Sequence, residues 1–465
     1  EIYTLSLHDA LPICANEALS WSIIYFNWYN LAIKGFKGDV MKAKLSLVLS
    51  GILSVSVVHS AAAETSVIKA GKMLDVVSGK VLNNRFITVE DGVIQSVSSE
   101  LPASSRDSKL IDLSDKFVLP GLMDMHTHIV RNLSKSFYDR YFQSPHRATI
   151  GGVVNAEKSL MAGFTLLRNV GAPNYQDVAL RNAINAGEIP GPRLAVSGPS
   201  IGITGGHCDS NALNHSFKEK GQGVANGPWA VREKVRENVK YQVDVIKFCA
   251  TGGVFSKGTQ VGQRQFTQEE MNAIVDEAHT HGRTVAAHAH GTEGIKYAIK
   301  AGVDSIEHAS FLDDEAIALA KKHGTVLSMD IYNTEYTLSE GRKNGVPEEN
   351  INKEKQVGER QRQSFAMAVK AGVKMVLGTD AGIFPHGDNA KQLSRMTQFG
   401  MTPLQAIQAA TINSAELLNW QDKVGQIKEG LYADIIAVDT NPLKDIRILE
   451  NVTFVMKDGQ VYKQD

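Results

Sequence analysis

Val118-Leu-Pro-Gly-Leu-Met-Asp-Met-His-Thr-His128 is an apolar run that ends in two histidines one residue apart. Val118, Leu119, Leu122 and Met123 read as a buried strand, taken here over residues 117–128. In a strand, residues two apart project from one face, so His126 and His128 point to the same place. Neutral imidazole ligates zinc and similar metals at about 2.0–2.1 Å. A lone pair of this kind is weak ground for a metal site. It gains weight from four further groups of ligand type downstream, each closing a strand-like run.

Those runs set the expected fold. Strands are expected at 117–128, 165–170, 193–197, 243–249, 284–289, 305–309, 325–332 and 374–380, with helical stretches between them. Thr267-Gln-Glu-Glu270 has the form of a capping box opening a helix over 269–281. Ala186-Gly187, His281-Gly282, Ala301-Gly302, His323-Gly324 and Ala371-Gly372 stand where left-handed C-caps end helices. Eight βα units over 117–424 predict an α/β fold, a (β/α)8 TIM barrel, whose active site lies at the C-terminal ends of its strands. A doubly wound open sheet is the other arrangement, but no GxGxxG follows any strand.

Both ends of the chain are β-rich. Asp91-Gly92 and Asp458-Gly459 separate apolar runs and predict hairpins. Neither end has strands enough for a closed core, so 64–116 and 425–465 are expected to build one small β-sandwich. Farther upstream, Met41-Lys-Ala-Lys is a short basic start, 45–58 is mostly apolar, and Ala61-Ala-Ala63 offers small residues for cleavage. This is the layout of a signal peptide over 41–63, since the apolar stretch is short of the roughly 20 residues a spanning helix needs. An uncleaved anchor is the alternative. The mature chain is expected to begin near Glu64 and to be periplasmic or secreted. Ser6-Leu-His-Asp-Ala-Leu-Pro-Ile13 looks like a translated sequencing adapter, and 1–40 is set aside as non-native.

With 43% apolar and 21% charged residues, the composition is that of a globular protein. Basic and acidic residues number 49 and 50, which gives no electrostatic case for nucleic acid or a membrane surface. The expected partner is a small-molecule or dipeptide substrate, and the expected assembly a homo-oligomer. Downstream of the signal stretch only Cys208 and Cys249 remain, so there is no disulfide framework. One bridge or two unpaired thiols are both open.

Lys247 closes the fourth strand. A lysine there can be an ion-pair partner or line a cleft; beside metals, its amine can also be carbamylated to an anionic oxygen ligand. His288-Ala-His290 closes the fifth strand, Ile306-Glu-His308 the sixth and Gly378-Thr-Asp380 the eighth. Any one of these histidines is an ordinary core residue. Six such groups at strand ends converging on one barrel mouth are not.

This pattern resembles the binuclear amidohydrolase superfamily, as does Gly425-Gln-Ile-Lys-Glu-Gly-Leu-Tyr-Ala-Asp434. Thr204-Gly-Gly-His207, Ala250-Thr-Gly-Gly-Val-Phe-Ser256, Ser328-Met-Asp-Ile-Tyr-Asn333 and Pro385-His-Gly-Asp-Asn389 are similar to its imidazolonepropionase-related branch. That branch includes prolidase-like dipeptidases, carboxypeptidases and ochratoxin-type amidases. Asn169 departs from the pattern, since relatives often carry Asp after the arginine at this point.

The resemblance implies two divalent ions, zinc the expected one, held by His126, His128, His288, His308 and Asp380 and bridged by carbamylated Lys247. It makes Asp380 the proton shuttle. His207 is expected to donate to the tetrahedral oxyanion, or else to orient a ligand. Within the strand-5 pair it gives His288 to the metal, leaving His290 to face the substrate or to orient a ligand. The substrate's free carboxylate is expected to meet Arg168, Tyr332 or His290. Asp330, placed on the same strand face as Tyr332, either meets a cationic side chain or orients a ligand. The implied activity is hydrolysis of the amide before a C-terminal residue of dipeptides or N-acyl amino acids, ochratoxin-like ones included. A cyclic amide, lactone or imidazolone ring is the alternative substrate, and a non-catalytic binding protein the other class.

Overall fold

The apolar run that opens the reading is two strands, not one. In the computed structural model, which describes residues 65–102, 108–131, 139 and 142–465, the chain changes sheets at Gly121. Up to Pro120 it pairs with the C-terminal strands; the Gly121 amide still donates to Asp434 O (2.9 Å), but the Leu122 amide donates to Gly163 O in the barrel (3.0 Å). Proline lacks a donor and cannot continue an interior ladder, so the switch falls beside Pro120. The expectations for residues 1–40 and 41–63 lie outside the described residues.

The terminal sheet takes β1 (Thr65–Leu74), β2 (Val81–Glu90), β3 (Val93–Ser98) and β4 (Lys109–Pro120) from the N-terminal side. The barrel follows, strand and helix alternating until two helices fall together before its last strand: β5 (Leu122–Thr127), α1 (Pro145–Met161), β6 (Phe164–Asn169), α2 (Gln176–Asn185), β7 (Arg193–Val196), α3 (Pro228–Lys240), β8 (Val245–Cys249) and α4 (Gln268–Thr280). It continues through β9 (Thr284–Ala289), α5 (Thr292–Ala301), β10 (Ser305–His308), α6 (Asp314–His323), β11 (Val326–Ser328), α7 (Asn333–Glu340), α8 (Glu348–Ala371) and β12 (Met375–Val376). Three helices, α9 (Lys391–Gln398), α10 (Pro403–Ala409) and α11 (Ile412–Leu417), lead to β13 (Ile435–Val438), β14 (Phe454–Lys457) and β15 (Gln460–Gln464).

Strands of both ends form one seven-stranded sheet in the order β15-β14-β13-β4-β1-β2-β3. It folds over a core of Ile68, Ile87, Ile94, Leu113, Ile435, Phe454 and Met456, and Ile94 N bonds Leu431 O just ahead of β13 (2.8 Å). Both termini thus contribute to one structure, as expected, but as a single sheet where a sandwich was expected. Both expected hairpin turns have left-handed backbone, Asp91-Gly92 (φ 48° and 79°) and Asp458-Gly459 (φ 50° and 76°). The two tips also touch: a Cβ on Gly92 would lie 2.7 Å from Asp458 O, so each turn needs its glycine for approach as well as for φ.

The parallel strands β5 to β7 and β8 to β12 close into a ring through backbone bonds at both seams. Ile201 N bonds Lys247 O (2.8 Å) and Cys249 N bonds Ile201 O (2.9 Å) at one, and Met125 N bonds Leu377 O and Asp380 N bonds His126 O (both 2.8 Å) at the other. The capping box at Thr267 and Glu270 is formed, and all five helix-ending glycines have positive φ. Among the described residues, no helix is long and apolar enough to cross a membrane.

Candidate metal centre

The C-terminal ends of β5, β8, β9, β10 and the chain after β12 bring His126, His128, Lys247, His288, His308 and Asp380 into one cleft. Strand geometry aims His126, Lys247 and His288, and His128 follows directly on the end of β5. At His308 (φ 71°) and Asp380 (φ 58°) the backbone turns left-handed, a conformation that costs free energy in a non-glycine residue and swings the side chain inward where a strand ends. Ligand atoms of His288, His290 and His308 lie within 4.8 Å of one another, as do those of His126, His308 and Asp380, so His308 belongs to both groups.

One ring nitrogen of most of these imidazoles is already engaged on the side away from the cleft. His128 Nδ1 donates to Gly171 O (3.3 Å), His308 Nδ1 donates to Asp330 (2.8 Å), and His290 Nδ1 bonds Ser310 Oγ (2.7 Å). His126 Nδ1 lies 3.0 Å from Glu307 Oε2, off the line of its N–H bond. The Nε2 atoms of His126 and His128 then face Asp380 Oδ1, at 3.6 and 3.2 Å. His288 Nε2 is buried with no hydrogen-bond partner in the structure. Partners that fix the outer nitrogen, with the inner one unsatisfied, are the mark of metal-ligating histidines, and the donor set fits divalent ions.

The electrostatics agree. Burial holds His126 down to about 4, with Lys247 adding to the effect, and burial followed by the neighbouring imidazoles holds His288 well below its ordinary value. These rings are neutral, as ligands must be. Burial also depresses Lys247, to about 8, against the pull of Glu307. Asp380 is the opposite case: burial works against its charge, but the bond to His128 and the nearby His126 and His308 hold it far below the carboxylate range.

A model of the amidohydrolase family matches residues 117–462. The chain belongs to that family. It is 32% identical to the ochratoxinase of Aspergillus niger over 427 residues, 86% of this chain and 87% of that protein. It is 25% identical to the imidazolonepropionase of Streptococcus gordonii over 397 residues, 77% of this chain and 85% of the relative. The crystal structure of a Xaa-Pro dipeptidase with bound methionine in the active site matches with a TM-score of 0.80 at 40% identity, covering 86% of this chain and 100% of that one. The protein is therefore a hydrolase acting on amide bonds, with ligands placed at the barrel mouth where this family's chemistry is done.

Two expected substrate contacts of this amidohydrolase lie elsewhere. Arg168 is fully buried below the cleft, donating to Met125 O (2.5 Å), Ser305 Oγ (2.9 Å) and Glu307 Oε1 (2.6 Å). It cannot meet a substrate; β6 points it into the barrel interior. Tyr332 is not in the cleft either, because β11 stops at Ser328 and the chain turns before α7. Its ring packs edge-on against Phe384 (5.0 Å). Asp330 does reach the cleft, and accepts from His308, Asn333 Nδ2 (3.1 Å) and Gln361 Nε2 (2.8 Å), bonds that fix the His308 ring.

His207 and His290 line the cleft as expected. His207 stacks on His288 at 4.2 Å between ring centroids, and its Nδ1 bonds Ser256 Oγ (2.8 Å). A Cβ on Gly253 would fall 2.5 Å from the His207 ring, so the glycine makes room for it. Cys208 and Cys249 are joined by a disulfide, Cα to Cα 6.1 Å, which ties the residue after His207 to the end of β8. Asn169, the departure from the family pattern, accepts from the Ile129 amide (2.6 Å) and donates to the buried Asp177 (2.9 Å), where an aspartate would set two carboxylates against each other.

Several cleft residues carried no sequence signal that was read. Arg131 follows the HxH strand, and Asn333, Glu354 and Gln361 come from α7 and α8. Asp124, two residues before His126, is buried and accepts from Thr379 Oγ1 (2.5 Å) and Asn389 Nδ2 (2.7 Å), pinning β5 to the loop that carries Asp380. The polar positions of α8 were legible in principle: Asn350, Glu354, Gln361 and Ser364 recur at helical spacing on the stripe that also buries Ile351, Val357 and Phe365.

Proposed function

We propose that this amidohydrolase is an exported dipeptidase or carboxypeptidase, which hydrolyses the amide before the C-terminal residue of dipeptides or N-acyl amino acids, including ochratoxin-like ones. The observation that carries the reading is that Arg131 and His290 share one cleft with the six ligand-type groups, which puts groups suited to a free carboxylate beside the bond-breaking centre. The similar Xaa-Pro dipeptidase structure holds methionine, an amino acid with a free carboxylate, in its active site. Export is proposed from the signal-like stretch over 41–63.

His126, His128, His288, His308, Asp380 and a carbamylated Lys247 would hold two divalent ions, zinc by preference. Carbamylation needs a neutral amine, and burial of Lys247, which lowers it to about 8, enlarges the neutral fraction available near neutral pH. The ions would contribute Lewis acidity and lower the pKa of water from 15.7 towards about 7. Asp380, ionised and held by Asn333 Nδ2 (3.2 Å), accepts the proton of the attacking water and passes it to the leaving amine. His207 donates to the oxyanion, kept in place by Ser256 and the stack on His288. Loss of a comparable donor costs roughly 3–4 kcal/mol.

The test is a screen of dipeptides, N-acyl amino acids and their C-terminal amides with purified, zinc-loaded protein. Free acids should be cleaved and the amides should react about ten- to hundred-fold more slowly. Equal rates on acids and amides would defeat the reading and favour a ring-opening hydrolase.

A further inference from the structure

Glu354 is a buried carboxyl in the cleft that none of these steps uses. It lies on α8 with Val357 and Gln361, and all three line the cleft wall. The residue is only 4% exposed. Its Oε1 accepts from the Thr334 hydroxyl (2.5 Å), and the other oxygen has no hydrogen-bond or ion-pair partner among the described residues. The lysine next to it is committed elsewhere: Lys353 donates to Ser256 O (2.6 Å) and pairs with Glu349 (2.8 Å).

A carboxyl placed this way is costly to bury and gives the fold nothing that a glutamine or a leucine would not. Burial pushes it up to about 7, and the nearby Asp330 adds to the effect although the Thr334 bond opposes it. No cation of the chain pairs with it among the described residues, and a cation entering the cleft would hold it ionised. Val254, Phe255 and Ile383 add apolar wall to the same cleft, and the other carboxylates there, Asp330 and Asp380, are already engaged by His308 and by His128.

We infer that Glu354 is the binding partner of a substrate ammonium, so that the cleft selects zwitterionic substrates, with their carboxylate at Arg131 or His290 and their amine at Glu354. The inference rests on the dipeptidase reading and narrows it: N-acyl amino acids without a second charge become poor substrates. The ammonium has two possible sources, the free N-terminus of a dipeptide or a basic side chain on the leaving residue.

The experiment uses the full, zinc-loaded enzyme and pairs of substrates that differ by one amino group. Alanyl-methionine against propionyl-methionine tests the N-terminal amine, and propionyl-lysine against propionyl-norleucine tests the side chain. One of the two pairs should show a preference of about ten- to hundred-fold in kcat/KM for the cationic member. Glu354→Gln, which keeps the shape and the Thr334 contact, should erase that preference and leave the neutral member within about three-fold. Equal cleavage within both pairs overturns the role of Glu354 while the dipeptidase reading stands. An equal loss on both members in the variant reduces Glu354 to a structural residue and also overturns it. Turnover of none of the four sinks both readings. The preference is read on the unmodified enzyme, so it does not depend on the variant folding.

Discussion

Arg168 and Glu307 form an ion pair in which neither side chain is exposed, and the same carboxylate reaches His126 with its second oxygen. A buried arginine thus sets the charge of a glutamate that lies 3.0 Å from His126, one of the candidate metal ligands. Burial opposes ionisation of Glu307, but Arg168 and then His126 hold it well below the carboxylate range.

Arg168→Met should therefore act on stability before specificity. It leaves Glu307 charged and without its buried cation, a loss of about 3–5 kcal/mol for one member of a buried pair. Arg168→Met with Glu307→Leu should recover much of that loss, yet bind zinc about ten- to hundred-fold more weakly because His126 is no longer oriented. Urea unfolding and competitive metal titration measure the two effects. An Arg168→Met enzyme of normal stability that fails only on free-carboxylate substrates would restore the arginine to the cleft.

If Lys247 carries the proposed carbamate, Lys247→Ala should lose both zinc and activity, since no neighbouring side chain would supply that anionic oxygen. A short carboxylic acid should bring back part of the activity by taking the vacated position, and enzyme prepared without carbon dioxide should be slow until bicarbonate is added. Crystals of active, zinc-loaded enzyme with a free Lys247 amine would end this reading.

Local patterns made the barrel and the ligand positions legible. Alternation placed the strands, Gly-ended helices marked their returns, and a side chain at or just past a strand's C-terminal end is carried to the barrel mouth whatever turn follows. Arg168 shows the limit of this logic. Strand alternation says which residues share a face, but not that this face looks into a closed barrel beneath the cleft. Tyr332 failed for a different reason, because the apolar texture runs on past Ser328, where hydrogen-bonded pairing ends. Arg131, Asn333 and Glu354 enter from loops and helices, and their meeting in the cleft is a product of tertiary packing alone. The polar zipper of Asp124, Thr379 and Asn389 spans sequence separations of 255 and 265, which no local window can see.

Away from the site, Glu277 should govern part of the acid limb. Arg236 bonds it, burial opposes and Arg232 adds support, so its pKa falls from 4.5 to about 2 in the folded state. A carboxylate lowered on folding contributes stability that is full above pH 4.5 and fades as pH falls towards 2. Arg236 is largely exposed, and the contribution is about 1 kcal/mol after solvent screening. Glu277→Gln should lower Tm by a few degrees at pH 7 and leave it unchanged near pH 2. A constant difference across that range would mean that the side chain acts by packing.

The disulfide ties oxidising conditions to catalysis. Cys208 follows His207 directly, and Cys249 ends the strand that carries Lys247, so the bridge holds His207, the proposed oxyanion donor, close to the candidate ligands. It joins residues 41 apart in sequence, a loop whose closure is worth about 2–4 kcal/mol to the folded state. Reduction should lower Tm and cut kcat more than it raises KM, because the loop bearing His207 gains freedom while the ligands stay on their strands. The variant with Cys208→Ser and Cys249→Ser should show the same lowered kcat, should retain its zinc, and should no longer respond to reductant. That insensitivity separates loss of the bridge from removal of metal by the thiol. A double variant with full activity would make the bridge a stabilising staple only. Cleavage after Ala63 on expression from Met41 in a Gram-negative host would place the enzyme where such a bridge persists, and a cytoplasmic product retaining Met41 would count against export.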